Sequence, residues 1–190
     1  LVLTHRSGAG FTLPELMVGL TIVGIILAVG APSFATWLQS SKLSTAANSY
    51  LVGVQTARAE AIRLNLPVQF VLTDTPVDTA DVANALAASP SGRNWVVRAA
   101  SGGAFRLLES RAGAESGFQA GGGTSVQISG MGVPTPFDGT ITFNGLGGTA
   151  DNSVYELDVT NPGGGACAAA SPPGPMRCSR IQVRGGGQVR

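Results

Sequence analysis

The sequence predicts an α+β protein: one long N-terminal helix packed on a mainly antiparallel β-sheet head. Three observations predict it. No charged side chain stands between Leu16 and Ser41, so the N-terminal end carries a long apolar run. Beyond it, Leu43, Ala47, Tyr50, Val54, Ala57 and Ala61 recur at alternating intervals of four and three, which is one face of a helix. After Pro67 the chain breaks into short β-rich runs separated by Gly, Pro and Ser, and no stretch between them has the length and stripe of a crossover helix.

The apolar run is long enough to span a bilayer, whose core of about 30 Å takes roughly 20 helical residues. Glu15 stands at its threshold, behind the segment Gly10-Phe11-Thr12-Leu13-Pro14-Glu15 and a short leader with His5 and Arg6. A secretory signal would have an apolar region of about 7–15 residues, shorter than this one. A plain anchor, with Arg6 held cytoplasmic by the positive-inside bias, leaves Glu15 unexplained, because a carboxylate in the apolar layer costs about 2.5–3.5 kcal/mol. A lone Glu near a helix end can also snorkel to the interface.

Pro32 interrupts the run and should bend or locally open the helix, which transmembrane helices tolerate. Gly19, Gly24 and Gly30 ease such opening. The amphipathic stripe then carries the helix on, broadened by Leu51 and Ile62, until Asn65 and Pro67 end it. From Phe11 to Leu64 the helix would measure roughly 80 Å at 1.5 Å per residue. Expected strands are 68–73, 94–98, 104–108, 124–129, 140–143, 154–159 and 180–184, with a polar loop from Asp74 to Ser91 holding at most one short helical turn.

Catalytic inventories come up short. The single histidine, His5, lies in the leader, so no Ser-His or Cys-His machinery is available to the rest of the chain. Lys42 is the only lysine and is outside any P-loop pattern. The runs Gly121-Gly122-Gly123 and Gly145-Leu146-Gly147-Gly148 have no helix start behind them and read as turns. Asp78 and Asp81 lie in a polar loop with no apolar surround to shift them. No enzyme activity, cofactor or metal is expected.

The N-terminal segment resembles a type IV prepilin signal, and the whole chain resembles the GspH/FimT family, the H-type pseudopilins of type II secretion and related minor pilins of type IV pili. Gly10 to Pro32 carries the resemblance to pilins at large. The narrower likeness rests on Val54-Gln55-Thr56-Ala57-Arg58-Ala59-Glu60-Ala61-Ile62, on the Pro67-Val68 lead into the first strand, on Ile141-Thr142-Phe143-Asn144-Gly145 and on a strand-Gly-strand C-terminal end. Pro14 departs from the aliphatic residue more frequent at that place, a change an early helix position tolerates.

The resemblance implies a pilin-like fold divided into a cleaved leader (1–10), a transmembrane and filament-core helix (11–38), its amphipathic continuation (39–64) and a periplasmic β-rich head (65–190). It implies cleavage by prepilin peptidase between Gly10 and Phe11, with N-methylation of Phe11. Glu15 then meets the Phe11 amine of a neighbouring subunit during assembly, and Pro32 marks where the helix unwinds in the filament. The implied partners are prepilin peptidase, other pilins or pseudopilins, and the inner-membrane assembly platform. The chain would cross the inner membrane once, leader inside and head in the periplasm, before entering a pseudopilus or pilus.

In that oxidising compartment Cys167 and Cys178, the only cysteines, are expected to form a disulfide, since two cysteines alone make no zinc site. The formal charge is +1, and without Arg6 the side chains balance. After Asp158, however, no acid follows, while Arg177, Arg180, Arg184 and Arg190 do. With Ile181 and Val183 facing inward, Arg180, Gln182 and Arg184 face out. Arg180, Arg184 and Arg190 are therefore candidates for nucleic-acid contact, against the plainer alternative of a solubilising edge. Some FimT-like relatives bind DNA through a C-terminal Gly-Arg-x-Arg, for which this tail has Gly187-Gln188-Val189-Arg190. A DNA-binding minor pilin is thus the alternative function.

Overall fold

The computed structural model describes residues 12–112, 127–161, 163 and 165–190, without the side chains of 29–33, 35, 36, 80 and 81. The chain divides into two compact units, Leu1–Trp37 and Leu38–Arg190. One helix, α1 (Leu13–Leu64), begins in the first and ends in the second.

In the first unit α1 opens on a capping arrangement. The Thr12 backbone N–H and hydroxyl both donate to the Glu15 carboxylate, at 3.4 and 3.3 Å, and Leu16 N–H donates to the Thr12 carbonyl. This is the reciprocal Thr-x-x-Glu box that satisfies orphan amides at a helix start. From there the helix is apolar on every side. Leu16, Met17, Val18, Leu20, Ile22, Val23, Ile25, Ile26 and Leu27 each remain at least 52% exposed among the described residues. Thr21 stays compatible with that surface by returning its hydroxyl to the carbonyls of Met17 and Val18. The helix continues through Pro32.

In the second unit α1 lays the expected stripe on the head: Leu43, Ala46, Ala47, Tyr50, Val54, Ala57 and Ala61 are buried. Ile62 is a correction, since it lies 49% exposed at the margin of that stripe. The helix stops at Asn65, in the left-handed region at φ 52°, just ahead of Pro67.

Among the described residues the head has two antiparallel sheets where the sequence suggested one. The first is ordered β3-β2-β1-β5, from β1 (Val68–Thr73), β2 (Asn94–Ser101), β3 (Ala104–Arg111) and β5 (Thr140–Phe143). The second is ordered β4-β6-β7, from β4 (Gln127–Val133), β6 (Val154–Thr160) and β7 (Ser179–Val183). The α1 stripe shares one core with both sheets through Phe70, Trp95, Phe143, Leu157, Met176 and Val183. Each large side chain fully buried there contributes about 1.5–3 kcal/mol. Two buried polar atoms are matched: Tyr50 donates to the Arg93 carbonyl at 2.9 Å and Trp95 Nε1 to Ser49 Oγ at 3.0 Å.

A shorter helix, α2 (Ala80–Asn84), covers the opposite face of the first sheet with a small cluster of Val77, Ala83 and Val96. Buried Arg98 holds it there, donating to the Ala83 carbonyl and to Gln69 Oε1 with its guanidinium over the Phe105 ring. Strand β4 runs later than the expected 124–129, of which 124–126 lie outside the described residues. Its glycines let it pack: the Phe137 ring lies against Gly130 and Tyr155 against Gly132.

Candidate functional site

Three places in the structure gather the residues that the sequence singles out. The first is the start of α1. Gly10 and Phe11 lie outside the described residues, and Glu15 is the first acid of the helix, its carboxylate turned back on Thr12. Among the described residues no helix is long and apolar enough to cross a membrane. The described side chains of the apolar run stop at Ala28 and resume singly at Phe34, whereas the charge-free sequence continues to Ser41.

The second is the outer face of the β4-β6-β7 sheet. Ile181 and Val183 are buried and Arg180 and Arg184 exposed, as the alternation requires. The glycine turn after β7 folds the tail back onto it: Gln182 and Arg190 exchange both backbone hydrogen bonds, and Arg184 N–H donates to the Gln188 carbonyl. The register sets Arg180 opposite Asp158 and Gln182 opposite Glu156. Arg180 therefore donates twice to Asp158, at 2.6 and 2.8 Å, and reaches Glu156 at 3.0 Å. The hydrogen bond to Asp158, then its charge and that of Glu156, hold the Arg180 guanidinium more firmly protonated than usual. Gln182 donates to Glu156 and accepts from Arg190. The three arginines thus sit on one strand and its tail, but two carboxylates already answer Arg180. The outward alternation of Glu156 and Asp158 was visible in the sequence; their register with β7 was not.

The Cys167–Cys178 disulfide is formed, and it closes the loop that leads into β7. Met176 within that loop is fully buried in the head core and Cys178 packs against it, so the bridge pins a loop that is otherwise mostly exposed. Among the described residues no cluster of three or more His, Cys, Asp or Glu side chains could hold a metal ion.

The third place is the end of α1. Here three of the four segments that carry the narrower family likeness meet. Arg58 Nε donates to the Gly147 carbonyl at 3.1 Å, and Gly187 of the tail packs against both Gly147 and Arg58. Gly147 and Gly187 sit at φ +82° and +77°, and a side chain on either would strike Ile62 or the neighbouring backbone, so glycine is required twice. Asn144 braces the turn, accepting from Leu146 N–H and Gly148 N–H on its side-chain oxygen and from Gly147 N–H on its carbonyl.

One further polar cluster escaped the sequence reading. Asp151 accepts from Ser153 N–H, Ser153 Oγ and Tyr155 OH at 3.1, 2.7 and 2.7 Å. Burial pushes the Asp151 carboxyl up, but hydrogen bonds from Ser153, Tyr155 and Thr135 outweigh it and hold the group well below the usual carboxylate range. Burial, then Asp151, pushes the Tyr155 phenol up to about 12. These groups border an open polar cavity of about 420 Å³. The Asp-x-Ser spacing was the available signal.

Comparison with known proteins places these features. The family model "Type II transport protein GspH" matches residues 46–187, and the model "Prokaryotic N-terminal methylation motif" matches residues 5–31. Among solved structures, the type IV minor pilin FimU of Pseudomonas aeruginosa is similar with a TM-score of 0.51 and 12% identity, covering 81% of this chain and 90% of that one. A second crystal form of the same pilin gives 0.48 and 11%, covering 77% and 90%. At that identity the likeness is one of fold. No curated protein matches the chain in sequence at a significant level.

Proposed function

The chain belongs to the GspH family, whose members are pilin-type structural subunits, and from that premise we propose that it is a non-catalytic subunit of a type II secretion pseudopilus or a type IV pilus. Prepilin peptidase cuts it between Gly10 and Phe11 and methylates the new amine. The helix anchors it once in the inner membrane with the head in the periplasm, and later packs it among other pilins or pseudopilins over the assembly platform.

The observation that carries this reading is the continuity of the methylation motif at residues 5–31 with a helix whose sides are all apolar and uncovered. Such a surface is stable only in lipid or among other helices. Glu15 and Pro32 are the assembly residues in this proposal. Among the described residues the Glu15 carboxylate has the two long bonds of the cap, and a neighbour's Phe11 amine would offer it a charge-assisted partner.

The DNA-uptake alternative finds less support, because Asp158 and Glu156 already answer the charge of Arg180, one of its three candidate arginines. The test of the structural reading is intact-mass and terminal-peptide analysis of the chain from cells with its peptidase. The expected terminus is N-methylated Phe11, and recovery of Glu15→Ala in the membrane but not in filaments completes the case. Any other mature first residue removes it.

A further inference from the structure

The end of α1 carries a surface that the packing of the head leaves uncovered. Gln55, Arg58, Ala59, Ile62 and Val189 line a mainly apolar groove of about 280 Å³. Leu146 stands beside it at the tip of the Asn144-braced turn, 91% exposed, the most exposed large apolar side chain of the described residues. Neighbouring Gly147 packs on Ile62 and Arg58, so the groove and the leucine form one face. A solvated leucine on a floppy loop would need no explanation. This one is held by four hydrogen bonds within the turn and by Arg58 from the helix, which is the preorganisation that lowers the entropic cost of binding. Among the described residues Arg58 is the one charged side chain lining the groove, and its terminal nitrogens have no partner there.

Building on the subunit role proposed above, we infer that the groove and Leu146 form the head's docking surface for a neighbouring subunit of a different kind, which presents an aliphatic side chain beside a carboxylate. The groove takes the aliphatic group, Arg58 the carboxylate, and Leu146 packs into the partner in return. Charge decides against a second copy of this chain. A two-fold pairing of identical faces would set Arg58 against its own counterpart with no acid between them, a like-charge contact that disfavours self-association.

The test uses the full chain expressed with its filament system, carrying a photo-crosslinking residue at Leu146 or, as a control, at exposed Asp78 over the opposite face of the first sheet. The expected product is a crosslink from position 146 to one other filament subunit, absent from position 78. Ala59→Glu, an exposed helix substitution that fills the groove and occupies Arg58, should cut its yield about thirtyfold, the scale of losing one anchor residue, with protease resistance of the head unchanged. Equal crosslinking from 146 and 78, a self-crosslinked product of doubled mass, or no effect of Ala59→Glu overturns the inference while leaving the subunit role standing, provided the filament fraction contains the chain with its Phe11 terminus. If the chain is missing from that fraction altogether, the subunit role and the inference both fall.

Discussion

Replacing both Cys167 and Cys178 by alanine should unfold the head at distinctly milder conditions. The bridge spans a sequence separation of 11. In the chain-entropy model a loop of that size removes about 9 cal/mol/K from the unfolded state, or about 2.8 kcal/mol at 25 °C. The native side adds little to the loss, because Met176 keeps the loop seated in the core. With a urea slope of about 2 kcal/mol/M, the midpoint falls by roughly 1.4 M. The assay is urea unfolding of the full chain in detergent, followed by tryptophan emission. Trp95 is completely buried and reports the head, while Trp37 is 62% exposed and adds a nearly constant background. Reduction of the unaltered protein should reproduce the shift. A midpoint change under about 0.3 M in both experiments would refute the reasoning, since it would mean that the unbridged unfolded loop is already constrained.

Asp151→Asn should flatten the acid limb of stability. The Asp151 pKa is lower folded than unfolded, so its contribution is present above the ordinary carboxylate value and is lost as pH falls from about 5 downward. The urea midpoint of the unaltered protein should drop over that window more steeply than that of the variant. At the alkaline end the folded Tyr155 pKa is raised from 10.0 to about 12, so its contribution fades as pH climbs through that interval, and Tyr155→Phe should remove that slope. Tyr50→Phe leaves the Arg93 carbonyl without its donor and should cost about 1–3 kcal/mol, read as a midpoint shift in the same urea experiment. Double-stranded DNA titrated at falling salt should show no steep salt dependence, and Asp158→Asn combined with Glu156→Gln, which together free Arg180, should raise low-salt binding if this face meets phosphate at all.

Much of the molecule was legible because its signals are local. The charge-free run, the stripe from Leu43 to Ala61 and the stop at Asn65 and Pro67 follow from helix period and end chemistry, and α1 reproduces them. The strand at Val68–Thr73 and the one at Thr140–Phe143 coincide with their alternating runs. The cap at Thr12 and Glu15 is equally local, a Thr-x-x-Glu spacing written in the sequence. The disulfide needed no topology, since two cysteines in an oxidising compartment leave one pairing.

Contacts between distant segments were the illegible part. Whether seven strands make one sheet or two depends on which strands become neighbours, and the alternation within each strand is the same either way. Register decided that Arg180 faces Asp158, so that part of a basic run is answered by acids of the neighbouring strand. Ile62 reads as core by its spacing, yet the width of the buried face is set by how much of the helix the sheets cover, and they stop short of it. Arg58 and the Gly147 carbonyl are 89 residues apart, and only the docking of the glycine turn and the tail on the end of α1 joins them. The sequence by itself determined the helix, its apolar faces and the identity of the strands, because those depend on periods of two and 3.6 residues. The tertiary structure alone decided which charges are answered and which apolar side chains stay uncovered, because both are properties of neighbours in space.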